Sequence, residues 1–484
     1  MSEGESIDVA VVGSGFGGLA TALRLAERGA SVAVFERVNY PGGCASTHVR
    51  RGVPMASGAT LMAGLAPGQL FATWLARHGV AVATEPLDPV LVQVTDEHRV
   101  PLPPDRARWA TELSALPGVD PGAVERFLAL QAKVAEPLWT LFSTPQLLPP
   151  LGPRALMAHG ARLGRYAAVA SVIGRTLGEV LDRCGLRSPA VRRLLDGLCQ
   201  ITVQVPCDEA DAVFALGALQ VFFGGAAHLP GGVGSLAEGL VEALRRAGGT
   251  VHFAHRVTAL RPTPEGWSVT TNRGSWQAEQ VVANTLPDQL MALTGQSTAS
   301  LRRLDRRVRT SWGAAVVFAT LHDHLDDPAG FHRQLVGATP VDGHSVWLSV
   351  SGRGEPGLPD GRRGLVASTH LPADADAQTV ARVQQRIRHT LQQLAPDLHG
   401  AIDAHWTAGP RTFERFTARS SGRVGGVPRR RGAAAYLGLW PRPVLHRAWL
   451  VGDSVLYGQS ALACAVSGHR VGDAVGNALG LSAG

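Results

Sequence analysis

Apolar positions in the opening segment change period twice. Ile7 to Val12 is an apolar run broken only by Asp8, the pattern of a buried strand. Leu19, Ala22, Leu23 and Ala26 then recur at helical spacing, and Ser31 to Phe35 returns to a strand-like run. Strand, helix and strand in that order predict a βαβ unit, and α/β patterning reappears from about Leu229 to Leu293 and from Trp449 onward. The interval Phe71 to Ala212 reads as largely helical, with periodic segments at Val124 to Ala135 and Ala155 to Arg175, divided by a proline-rich break from Thr144 to Pro153. Beyond Arg309, WGAAVVFATL alternates as a strand does, and Val380, Val383, Ile387, Leu391 and Leu394 mark one face of an amphipathic helix.

These alternations predict an α/β fold whose nucleotide-binding domain is assembled from discontinuous pieces, with a second domain inserted between them. The expected boundaries are residues 1–70, 225–295 and 441–484 for the first, Rossmann-like domain, and 71–224 and 296–440 for an α+β substrate domain. From Ala212 to Ala237 no acidic or basic residue occurs except His228, a stretch long enough to span a bilayer. Gly224, Gly225, Pro230, Gly231 and Gly232 break the stretch into a short helix, a turn and a new helix start, which fits a buried segment better.

Between the first strand and helix stand Gly13, Gly15 and Gly18, and Glu36 closes the second strand. In this context each residue has a mechanical task. Gly13 permits a sharp turn, Gly15 leaves room for a diphosphate at the helix N-terminus, and Gly18 lets the helix approach the strand. Glu36 can accept hydrogen bonds from the ribose hydroxyls of an adenosine, and its charge would repel a 2′-phosphate. FAD or NAD therefore fits better than NADP.

The 484 residues, 45% hydrophobic, are those of a globular chain with more than one core. Met1 to Glu5 is polar and acidic, unlike a secretory leader, so a cytoplasmic location is expected, with peripheral attachment to the inner membrane surface as a variant of it. Cys44, Cys184, Cys199, Cys207 and Cys464 form no C-x-x-C pair and no zinc-like spacing; reduced thiols and no metal are expected. The net charge of +7 is carried by arginine, Lys133 being the only lysine. Arg302, Arg303, Arg306, Arg307 and Arg309 form one cluster, Arg429, Arg430 and Arg431 another. Solvated faces account for both; an anionic membrane surface or an acidic carrier protein are the sharper readings, and without interleaved aromatics nucleic acid is not expected.

After Glu36 the chain reads NYPGGCAST, then SGAT at Ser57 to Thr60. Further on come HLPGGVGSLAEGLVEALRRAGGTVHFAHRVTAL (His228 to Leu260), GPRTFERFTARSSGRVGGVP (Gly409 to Pro428) and WLVGDSVLYGQSALACAVSGHRVGDAV (Trp449 to Val475). Together these resemble the amine-oxidase and phytoene-desaturase flavoprotein superfamily, and within it the phytoene desaturases and carotenoid isomerases. The resemblance implies FAD. It implies cofactor contacts from Gly13, Gly15, Phe16, Gly17 and Gly18, from Glu36 and Arg37, and from Gly42, Gly43, Ser46, Thr47, Gly58, Ala59 and Thr60. Val257 would meet the adenine through its backbone, Gly452 and Asp453 the diphosphate and ribityl chain, and Gln459, Ala461 and Leu462 would begin a helix whose positive end faces the flavin. The family usually has Pro-Gly-Gln where this chain has Tyr457-Gly458-Gln459, a departure that puts the carotenoid substrate in question more than the flavin.

The implied chemistry is hydride transfer from an apolar conjugated polyene to flavin N5 while a neighbouring proton leaves to a base or water, giving desaturation, or, with reduced flavin lending and recovering electron density, isomerisation. The flavin does the difficult step, so few polar catalytic groups are expected. His228 and Tyr457 are the polar candidates near the ring, against the plainer roles of a structural hydrogen bond and a pocket wall. Two alternatives stay open: a polyene acyl chain tethered to a carrier protein, desaturated, isomerised or oxidatively aromatised, and a non-catalytic protein that binds a flavin or a polyene.

Overall fold

The structure is a computed structural model and describes residues 5–149, 151–325, 331–432, 436, 439–456 and 458–482. An eight-stranded sheet runs in the order Val257–Pro262, Trp267–Thr271, Gly274–Ala283, Glu5–Val12, Val32–Phe35 and Thr250–His252, with Ala448–Leu450 and Pro443–Leu445 added beside the end of Gly274–Ala283. Its central strands are parallel and buried on both faces, which is why they read as continuous apolar runs.

The register of these strands decides where chemistry can occur. Val12 lies opposite both Phe35 and Ala283, and Ala283 lies opposite Leu450. Four carboxyl-terminal strand ends therefore finish level, and the residues that leave them, Gly13, Glu36, Asn284 and Val451, emerge along one edge. In open parallel sheets this edge is where ligands bind.

Over the sheet lies the first helix, Phe16–Glu27, and against it the C-terminal helix, Ala461–Ala478. Their contact is made by a glycine stripe at Gly468, Gly472 and Gly476. A Cβ at Gly468 would meet the Gly17 carbonyl oxygen, and one at Gly472 would stand 2.9 Å from Cβ of Arg24. Close approach lets the Thr21 hydroxyl donate to the carbonyls of Gly17 (2.8 Å) and Gly468 (3.0 Å). Distant parts of the chain are thus locked backbone to backbone.

A second, seven-stranded sheet runs Ile402–Ala408, Trp312–His322, Arg362–Pro372, Val346–Val350, His332–Leu335, Leu91–Val94 and Arg99–Leu102. The amphipathic helix Ala377–Leu394 covers it with Val383, Ile387 and Leu391 buried. Two local expectations are corrected. Residues 91–102 fall in the interval read as helical yet form a hairpin, because Leu91–Val94 finds a parallel partner in His332–Leu335. The periodic stretch Ala155 to Arg175 is not one helix: it is Pro153–Gly160, a 3-10 turn at Leu163–Tyr166, and Ala167–Val172, with Gly160 and Gly164 at the break. The rest of the helical part, including Pro121–Ser143 and Pro189–Thr202, packs around buried Trp109, Phe127 and Phe222. The uncharged stretch from Ala212 divides into the helix Ala212–Ala218, a turn and the helix start at Gly234. Among the described residues no helix is long and apolar enough to cross a membrane.

The glycine stripe makes a direct prediction. Gly468→Val forces the two helices apart and is expected to destabilise the protein by about 1–3 kcal/mol, the usual range for overpacking. Denaturant unfolding of the purified variant measures it, and an unchanged midpoint would remove the stripe's role.

Candidate functional site

One cavity of about 1340 Å³ opens along the level strand ends and continues beneath the second sheet. Drug-sized ligands occupy pockets of ~300–1,000 Å³, so this space exceeds what one such molecule needs. Lining it are Gly13, Gly15, Phe16, Gly17, Glu36, Arg37, Gly42, Gly43, Ser46, Gly58, Ala59, Thr60, Val257, Gly452, Asp453, Gln459, Ala461 and Leu462. Tertiary structure thus brings together residues from four separated stretches.

At the dinucleotide end, the first helix begins at Phe16 with Gly15 as its N-cap and no side-chain cap. Its first N–H groups stay available to an anion. The carboxylate of Glu36, buried, accepts from the Ser14 amide (2.9 Å) and hydroxyl (2.7 Å) on one oxygen and from the Val38 amide (3.0 Å) on the other. Those bonds fix its direction and leave lone pairs for a diol. Gly42, at φ 107°, donates its amide to the Ser14 carbonyl (2.9 Å), so the second glycine motif is seated on the first.

Asn284 was not singled out by the sequence reading. It leaves the Gly274–Ala283 strand with its amide donating to the Val12 carbonyl (2.9 Å), and its side chain stands among three glycines. A Cβ at Gly15 would meet its Nδ2, one at Gly17 would lie 3.0 Å from its Oδ1, and one at Gly452 2.8 Å. The only sequence signal for it is a polar residue directly after an apolar parallel strand. Arg419 was missed too. It holds Asp453 with two bonds, 3.1 and 2.8 Å, and also donates to the Arg423 carbonyl (2.6 Å). Asp453 is thereby clamped rather than free.

Three candidates stand elsewhere. Gly18 is outside the cavity wall; a Cβ there would meet the Gly13 carbonyl oxygen and approach Val11 Cγ1 at 3.2 Å, so it serves helix-to-strand packing. Thr47 is also off the wall: its hydroxyl accepts from the Gly234 amide (2.9 Å) and pins the start of the Gly234–Arg246 helix. His228 does not reach the cavity either. Its Nε2 is 2.7 Å from Glu355, whose other oxygen accepts from Gly231 (2.9 Å), and its ring stacks on Phe331 at 3.8 Å. A carboxylate from the loop between two strands of the second sheet holds the imidazole. Tyr457 lies outside the described residues. Among the described residues no three His, Cys, Asp or Glu side chains gather as a metal site.

The far end of the cavity is apolar and aromatic, with Phe318, Trp406, Phe413 and Phe416 on one side and Trp139 and Phe142 on another. Arg50 stands over the Trp406 ring, 5.0 Å from its centre, while the histidines and thiols that line the cavity are held neutral by burial. Burial pushes the His370 pKa down to about 4 and lowers that of His48, and desolvation raises the Cys44 and Cys464 thiols.

The family model described as flavin containing amine oxidoreductase matches residues 16–443. The chain is a member of that family. As a member of that family it uses FAD and is an FAD-dependent oxidoreductase, and the uncapped helix end, the glycine cradle and buried Glu36 are the features that fit the cofactor. Prolycopene isomerase 2, chloroplastic, from an Oncidium hybrid cultivar is 24% identical, over 97% of this chain and 84% of that protein. The all-trans-retinol 13,14-reductase of Danio rerio is 24% identical over 51% of this chain and 41% of its own. Among solved structures, cyclohexylamine oxidase from Brevibacterium oxydans IH-35A superposes with a TM-score of 0.65 at 16% identity, covering 98% of this chain and all (100%) of that one. Putrescine oxidase bound to putrescine superposes equally well, at 0.65 and 15% identity, over 98% of this chain and 99% of its own. The fold is shared with these oxidases.

Two outcomes are expected. Asn284→Asp places a carboxylate against the diphosphate's seat and should weaken FAD binding by at least about ten-fold, as loss of a charge-compatible hydrogen bond would; flavin-fluorescence titration measures this. The second concerns pH. His370 has its folded pKa below the unfolded 6.5, so stability is full above pH 6.5 and falls as the pH drops towards 4, because only the unfolded chain takes up the proton. Between pH 7 and pH 5, His370→Gln should reduce that fall by about 2 kcal/mol. Denaturation midpoints at the two pH values decide it.

Proposed function

We propose that this FAD-dependent oxidoreductase desaturates or isomerises a long, apolar, conjugated polyene of carotenoid type. The observation that carries the reading is one continuous cavity that runs from a dinucleotide edge to an aromatic chamber in which His370 is held neutral. Bound FAD supplies the hydride acceptor. The protein's part is to orient and to exclude water. Phe318, Trp406 and Phe413 offer flat apolar faces to a planar chain, and neutral His370 adds no charge to the chamber. Relatives named for prolycopene isomerisation and for retinol reduction support the reading.

A carrier-tethered polyene is the second reading. It is favoured by one observation: Arg303, Arg306 and Arg307 converge with Arg430 and Arg431 around a hollow of about 440 Å³, although the two clusters are far apart in sequence. Such a basic surface suits an acidic carrier protein. Salt-sensitive capture by an acidic acyl carrier supports that form of the substrate, and flotation with anionic liposomes supports a free lipid-borne one.

Anaerobic mixing of the FAD-loaded protein with a panel of carotenoid and polyenoyl compounds tests the function. Bleaching of the flavin's visible band with a product longer by one double bond is the expected result for desaturation. A changed cis-to-trans ratio with reduced flavin, and no net oxidation, is that for isomerisation. An unaltered spectrum and product profile across the panel would leave only a binding role.

A further inference from the structure

Arg429 is 4% exposed and lines the cavity, yet Nη1 and Nη2 find no hydrogen-bond partner among the described residues. Its backbone is fixed: the amide donates to the Val203 carbonyl (3.0 Å) and its own carbonyl accepts from Asp211 (2.9 Å). The guanidinium carbon stands 5.2 Å from the Phe214 ring centre and 5.0 Å from that of Tyr436. Stacking of this kind stabilises the cation through its flat face but leaves the in-plane N–H donors unused. Burial lowers its pKa only to about 10, so the charge persists at neutral pH.

The neighbourhood is built to keep those donors open. A Cβ at Gly458 would lie 2.7 Å from Nη2, so a side chain there would displace the guanidinium. Asp453, the acid whose charge acts on Arg429, is already gripped at both oxygens by Arg419. Beside Gly458 the C-terminal helix begins at Ala461, and its first residues line the same cavity, adding the partial positive charge of a helix N-terminus. A buried unpaired cation beside a helix N-terminus is costly unless an anion meets it in the bound state.

We infer that Arg429 is the cavity's anion-recognition residue, its planar fork receiving a delocalised anionic edge that arrives with a ligand. Two sources offer that chemistry: the pyrimidine edge of reduced flavin and the carboxylate of a polyene acid. The inference rests on the flavin and polyene readings above for the identity of the ligands, and on Arg429 alone for the site.

The test uses the FAD-loaded wild type, Arg429→Met and Arg429→Lys. In dye-equilibrated reductive titration, a flavin source predicts that the Met variant favours oxidised over reduced FAD by ten- to a hundred-fold more than the wild type, a fall in potential of about 30–60 mV, with Lys in between. In ligand titrations followed by flavin fluorescence, a substrate source predicts that the wild type binds a C20 polyene acid at least ten-fold tighter than its alcohol, and that Arg429→Met loses the preference. Either result supports the site and names its ligand. A Met variant with wild-type potential, together with a wild type indifferent to acid and alcohol, overturns it. Should Arg429→Met fail to fold, the wild-type preference and the Lys variant decide on the same terms. A wild type that binds FAD but no polyene at all counts against the polyene reading alone, since the potential still reports on Arg429.

Discussion

The register that sets Val12 opposite Phe35 and Ala283, and Ala283 opposite Leu450, is the constraint on which the rest depends. Slipping any one strand by a residue would turn its side chains to the other face and carry its exit loop off the common edge. Burial on both faces forbids that slip. With the register held, Gly13, Glu36, Asn284 and Gly452 converge without further instruction. The glycine stripe at Gly468, Gly472 and Gly476 then brings the C-terminal helix down on the first helix, so that two helix N-termini open on the same space.

Along the cavity the treatment of charge changes. At the dinucleotide end, polar groups are held in place by the chain itself: Glu36 by Ser14 and Val38, Asp453 by Arg419. At the far end, burial holds the His370 imidazole neutral among apolar and aromatic side chains. Arg429 belongs to neither pattern, being charged, buried and open on its in-plane side. Most of the cavity's electrostatics are therefore arranged before any ligand arrives, and a preorganised site of this kind needs little rearrangement on binding.

Two histidines are disposed in opposite ways. His228 sits in a motif associated with flavin binding, yet Glu355, from 127 residues further along, takes it into a structural pair. His370, in a strand with no motif attached, faces the chamber. Motif membership located a segment, and which way each side chain in that segment points was settled by the partners that tertiary packing supplied.

The sequence by itself determined the βαβ opening, the glycine turn, Glu36, the amphipathic helix Ala377–Leu394 and the flavin family, because those signals lie in local periodicity and in short-range backbone demands. Only the tertiary structure decided that Leu91–Val94 is a strand, that Thr47 serves packing, and that Asn284, Arg419 and Arg429 belong to the site. Each of these depends on a partner distant in sequence: a parallel neighbour for a short strand, three glycines for Asn284, an acid for Arg419 and two aromatic faces for Arg429. Local pattern records what a segment can become, and long-range contact selects among those outcomes because its free energy exists only after the chain has closed on itself.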